Sequence, residues 1–255
     1  MRRALPLVLP LALGLTAGPS LSQQAPGAAC AKATAEQPLL EGQPALSPGP
    51  ALEGSKGTAE PAEGATDYRQ RLRTTPLGWA RLNHWCVWVA PPAVSGPAAL
   101  WDGRWHRAVL AALSTWSLLV PITLVEAPER AQVWIERRRP PLQEVQGRLR
   151  ASHGRSLLRL LRVQRGGFWR PEPRVLVLIG PSQAEPALQA TALHELGHAF
   201  GLWGHSDQAG DAMAAVPGPR PVLALSDRDR RTVRWLYGQT TRFGGIEPDP
   251  VGSRQ

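Results

Sequence analysis

The stretch HELGHAFGLWGH, residues 194–205, restricts this chain more than any other. His194 and His198 are four residues apart. On a helix, four residues is just over one turn, so both imidazoles leave the same face. Two nitrogen ligands so placed can grip one zinc ion. Glu195 lies on the flank of that face, where its carboxylate can take a proton from a metal-activated water. A zinc ion used in this way needs a third protein ligand and an open position. Gly201 supplies the means, because helices often end at a glycine with positive φ, which turns the chain sharply. The turn brings His205 back toward the metal, with Gly204 as the flexible residue between them. Asp207 is the rival third ligand, since carboxylates also bind zinc. A bare His-Glu-x-x-His also occurs as a surface feature. The histidine beyond Gly201 is what separates this stretch from that case.

The rest of the chain reads as a frame for such a helix. Residues 84–92, HWCVWVAPP, alternate bulky and smaller side chains and stop at two prolines, which predicts a strand. Trp105, Val109, Ala112, Leu113 and Trp116 recur at helical spacing, predicting a helix over 101–119 that Pro121 ends. Residues 122–127 and 131–136 read as two strands. Residues 137–173 read as irregular and basic, with 156–163 open between strand and short helix. RVLVLIG, 174–180, predicts a strand. Ser182 and Glu185 form a possible capping box for the metal helix, with Pro186 in its first turn. Ser226 and Asp229 predict the cap of a last helix over 226–237. The order implies an α/β (α+β) domain.

Arg2 and Arg3, the apolar run 5–15 and small residues to Ser22 predict a signal peptide over 1–22, with an uncleaved anchor as the alternative. The run is too short to span a bilayer, and no later segment is long enough. No transmembrane segment is therefore expected after cleavage, and the location is secreted or periplasmic. Residues 23–67 are rich in Ala, Gly, Pro, Glu and Ser and have no period, which predicts a disordered linker or propeptide. Residues 246–255 read as a flexible tail. Cys30 and Cys86 are an even number, and an exported chain can join them, but nothing in their positions decides whether they pair. A lipid anchor at Cys30 is the weaker reading, because it sits far beyond the apolar run. No Cys-x-x-Cys pair is present, which excludes thiolate zinc fingers. The formal charge of +9 is almost all arginine. The run 137–139 reads as a solvated basic loop rather than a nucleic-acid site, since no recognised nucleic-acid motif accompanies it.

HELGHAFGLWGH, followed by Met213 and a terminal helix, resembles the metzincin metalloproteases and is most similar to bacterial matrixin-like proteins. The resemblance extends to 225–244 and more faintly to 79–136. It implies a metzincin-like domain over 68–245: a twisted mixed sheet with an active-site helix and a C-terminal helix. It implies zinc on His194, His198 and His205, Glu195 as general base, and Met213 as a turn residue packed beneath the metal. The activity implied is a zinc endopeptidase acting on peptides or proteins. The turn to His205 is one residue longer than the H-E-x-x-H-x-x-G-x-x-H pattern. Ala214 and Ala215 stand where matrixins often carry tyrosine and proline, so the pocket walls differ. Cys30 is in no cysteine-switch motif, and His84, His106 and His153 read as surface or structural. The alternative functions are an idle zinc-binding protein, against which Glu195 argues, and a basic surface- or nucleic-acid-binding protein. Oligomeric state is not legible.

Overall fold

The structure, a computed structural model, describes residues 30–49, 66–145 and 147–248. Its strands are β1 (Ala33–Pro38), β2 (Ser47–Pro48), β3 (Arg73–Thr74), β4 (Trp85–Val89), β5 (Ile122–Leu124), β6 (Val133–Glu136), β7 (Gln143–Val145), β8 (Arg148–Arg150), β9 (Gly154–Arg165) and β10 (Phe168–Ile179). Its α-helices are α1 (Ala99–Ser117), α2 (Glu185–Ala199) and α3 (Asp227–Tyr237). Six strands form one sheet in the order β1-β9-β10-β6-β4-β5. Strands β5, β4, β6 and β10 run parallel, while β9 is antiparallel to β10 and β1 antiparallel to β9. This is the mixed α/β architecture expected. Its core joins Trp85, Val87, Val133, Ile135, Val175 and Val177 of the sheet to Trp105, Trp116, Leu193, Leu196 and Phe200 of the helices.

Helices α1 and α2 pack on each other. Trp116 fixes their register, with its indole N–H donating to the Leu193 carbonyl at 2.9 Å and its ring 5.9 Å from Phe200. The capping box expected at Ser182 does not form. Helix α2 has Ala184 at its N-cap with no side-chain hydrogen bond, and Ser182 Oγ accepts from Arg139 instead. The second capping box does form: Ser226 and Asp229 exchange side-chain and backbone hydrogen bonds at the start of α3.

The region expected to be irregular, 137–173, is largely sheet. Its hydrophobic pattern is broken by doubled leucines and arginines in β9, and Pro171 and Pro173 in β10 argue against a central strand. Both prolines are nonetheless accommodated. Val175 N–H donates to Gln132 O, so odd positions of β10 present their N–H toward β6. The β6 pairing begins at Val175↔Val133, so Pro171 and Pro173 face past its end and forfeit no ladder bond.

The expectation of a disordered linker over 23–67 is corrected for residues 30–49. Strand β1 pairs with β9 from Ala33↔Arg165 to Pro38↔Leu161, Cys30 is disulfide-bonded to Cys86, and Gly49 N–H donates to Leu72 O. Leu39 and Leu46 of this segment pack against the core, but β1 itself carries no large apolar side chain. Groups brought from elsewhere hold the rest: Arg130 Nε donates to the Cys30 carbonyl at 2.8 Å, Arg165 donates to the Ala31 carbonyl, and Arg174 pairs with Glu36. The tail also begins later than expected, because Glu247 N–H donates to Trp169 O and its carboxylate meets Arg162 at 3.0 Å. The signal peptide over 1–22, the rest of the linker at 23–29 and 50–65, and the tail at 249–255 lie outside the described residues.

The disulfide links positions 56 residues apart. In the chain-entropy model, closing a loop of that size stabilises by about 4 kcal/mol. Cys30→Ala/Cys86→Ala is therefore expected to lower unfolding stability by several kcal/mol in a denaturant titration. A loss under about 1 kcal/mol would mean that the hydrogen bonds and ion pairs hold the segment without the link.

Candidate metal centre

Helix α2 ends where Gly201 adopts φ +106°, and the turn that follows closes through Leu202 N–H to Gly197 O and Gly204 N–H to Leu202 O. This brings His194, His198 and His205 together, with one candidate ligand atom from each within 4.8 Å of the others. His194 Nδ1 lies 2.8 Å from the Ala212 carbonyl and His198 Nδ1 2.8 Å from the Leu202 carbonyl. A carbonyl only accepts, so both Nδ1 atoms carry the proton and both Nε2 lone pairs are left for a ligand. His198 Nε2 and His205 Nε2 are 3.2 Å apart. Tetrahedral zinc with nitrogens at about 2.0–2.1 Å sets neighbouring donors about 3.3 Å apart, which this pair matches, and three imidazoles are a donor set that zinc takes. Burial pushes the imidazoles below their ordinary range, His194 to about 4. They are thus neutral at neutral pH, the form that binds metal.

Asp207 is not a member of this cluster. Its carboxylate points to Arg228 at 2.7 Å and Arg71 at 3.3 Å. Gly204 accommodates the longer turn for a different reason from the one expected. It is not among the positive-φ glycines. A Cβ there would stand 2.2 Å from Arg71 O, so the position is closed to side chains by the backbone passing beside it.

Glu195 is buried, at 8 % exposure, one residue from His194. Burial raises its carboxyl to about 7, against the opposing influence of Ser156 and Arg155. Ser156 Oγ, on β9, lies 2.8 Å from Glu195 Oε2 and 2.9 Å from the Glu195 carbonyl. Gly154 passes so close that a Cβ there would be 2.9 Å from Oε1. Neither Ser156 nor Gly154 carries any signal in the sequence, since both sit in the stretch that reads as irregular.

Met213 is fully buried against Gly197 of α2, the residue before His198. A Cβ on Gly197 would stand 2.1 Å from its sulfur, so the glycine in the middle of α2 is what admits the methionine. Ser206 N–H donates to Met213 O and Ala215 N–H to Ser206 O, closing the loop. Asp211 accepts from Ser206 Oγ and from Ser226 Oγ. The fully buried Asp229 accepts from Ala212 N–H, Ser226 N–H and Tyr68 OH, which fixes the loop to α3. Trp203 stacks on His198 with centroids 5.6 Å apart.

A cavity of about 400 Å³ opens beside His194 and Glu195, walled by Ala187, Ala190, Ala212, Ala214, Ala215 and Val222 among others. His153, expected to be a surface residue, is exposed and lines this cavity. His84 lies elsewhere, with Nε2 2.9 Å from Thr123 Oγ1. His106 is half-buried on α1. The arginines of 137–139 are engaged with Asp102, Glu136 and Ser182 respectively. Among the described residues, no helix is long and apolar enough to cross a membrane.

The family model described as matrixin, of peptidases, matches residues 179–238, from the end of β10 through α3. The match contains all three clustered histidines, Glu195 and Met213. The segment is matrixin-like, which places it with zinc metallopeptidases in general. No curated protein matches the chain.

Proposed function

With that matrixin-like segment as the premise, we propose that the chain is an exported zinc endopeptidase, with zinc held by His194, His198 and His205 and Glu195 acting as general base. The observation that carries the reading is the convergence of three neutral imidazoles with a buried carboxylate beside them, at the mouth of an apolar cavity. A zinc ion there would supply Lewis acidity, acidifying water and polarising the peptide carbonyl. Glu195 takes the proton of the attacking water and returns it to the leaving nitrogen. Burial supports this role, because a carboxyl near neutrality can both accept and release a proton. Ser156 orients the carboxylate through Oε2.

Strand β9 offers a place for substrate backbone. β1, Leu39 N–H donating to Leu160 O, and Gln43 Oε1 accepting from Leu158 N–H occupy its outer edge from Leu158 onward. Among the described residues, the 154–157 end has no strand partner on that side, and it adjoins Glu195. An extended peptide adding there lies along the site. A substrate side chain flanking the scissile bond then enters the alanine-walled cavity, which has room for a large apolar group. The Cys30–Cys86 disulfide supports a secreted or periplasmic location, since such bonds persist in oxidising compartments.

The zinc-loaded full chain, offered a peptide library, is expected to cut beside bulky apolar residues. It should lose that activity to a chelator and regain it with added zinc. Cleavage that survives metal removal would overturn the reading.

A further inference from the structure

A second pocket, of about 550 Å³, shares no wall residue with the cavity at His194. It is formed by the turn before β4, by β10 and by the chain after α3, with Arg81, His84, Arg170, Gln132 and Thr241 in its walls. Its charges are unbalanced. Arg81 is 6 % exposed, yet its guanidinium donates only to neutral acceptors, Asn83 Oδ1 at 2.6 Å and the Gln239 carbonyl. Its other neighbour is the Tyr237 ring, 5.4 Å away. Among the described residues, none accepts a hydrogen bond from the Arg170 side chain or forms an ion pair with it. The carboxylate in the wall, Glu172, is already held by Arg165 through both oxygens and by Gln132. The Nε atoms of Arg81 and Arg170 and Nδ1 of His84 are buried without a partner.

A buried guanidinium with only neutral partners is unfavourable unless an anion compensates it, and unpaired buried N–H groups add to the deficit. Two arginines on one concave wall offer planar, multi-donor recognition of an oxyanion. Desolvation, which holds Arg81 below the ordinary guanidinium value, is the same effect seen from the cation's side. We propose that this pocket binds a small oxyanionic ligand, a phosphate or carboxylate group, with Arg81 and Arg170 supplying the positive charge. The site is separate from the metal centre and does not depend on the peptidase reading.

Calorimetric titration of the zinc-loaded full chain tests this, with ionic strength fixed by sodium chloride. The probes are inorganic phosphate, glycerol phosphate and succinate. Saturable binding of one equivalent is expected, and the order of the three affinities separates a phosphate site from a carboxylate site. Arg170→Gln should bind the preferred probe at least about tenfold more weakly, the loss of one charge-assisted pair, while its peptide cleavage without the probe stays unchanged. Arg81→Lys, which keeps the charge but loses the planar fork, provides a second reading should the glutamine variant fold poorly. Equal affinity in folded variants and wild type would place the anion elsewhere, for example at the histidines, and overturn the proposal. The absence of saturable binding for all three probes would also overturn it, leaving a pocket filled with water.

Discussion

Glu195→Gln should keep close to one zinc per chain and cut peptides at least about a hundredfold more slowly, the low end for losing a general base. The substitution preserves volume and planar shape in a tight place. Glu195 is buried, with Ser156 at 2.8 Å and the backbone of Gly154 against its other oxygen. A glutamine amide oxygen can still accept from Ser156, so the fold around the site should hold. What disappears is the group that takes a proton. Metal analysis and a peptide assay on the same preparation separate the outcomes. Unchanged cleavage would remove Glu195 from the mechanism. Loss of zinc along with activity would make the carboxylate a structural support, and the idle zinc-binding alternative would gain.

The second large effect concerns the third ligand. His205→Ala should weaken zinc binding by more than about a hundredfold, since even changes to groups behind a ligand cost about 10–100-fold. Asp207→Ala should leave affinity nearly unchanged. It breaks pairs with Arg71 and Arg228 at a surface, and such pairs contribute about 0–1 kcal/mol. Gly204→Val should resemble His205→Ala, because its side chain would collide with the Arg71 carbonyl and push the 201–205 turn out of place. Gly210→Ala, where a Cβ meets nothing within 4 Å, is the control. Competition against a chromogenic chelator ranks the four variants. Release of zinc by Asp207→Ala, with His205→Ala retaining it, would replace the three-histidine set by two histidines and an aspartate.

The sequence alone determined most of what is local, the cap at Ser182 excepted, since Arg139 arrives from elsewhere to occupy that hydroxyl. The four-residue spacing of His194 and His198, the break at Gly201 and the cap at Ser226 are properties of one or two helical turns, and all three appear in the structure. The core strands β4, with its alternating side chains and terminal prolines, β6, and the apolar end of β10 are legible for the same reason. What only the tertiary structure decided is long-range. Strand β1 carries no large apolar side chain and exists because β9, Cys86, Arg130 and Arg174 hold it and the cysteine before it, across 56 to 138 residues of chain. The prolines of β10 are tolerated only because β6 stops short of them. Ser156 and Gly154 reach Glu195 only after β9 has paired with β10. Gly204 is constrained not by its own φ but by Arg71, a residue far away in sequence. Local periodicity cannot encode these positions, since each depends on which distant backbone arrives beside it.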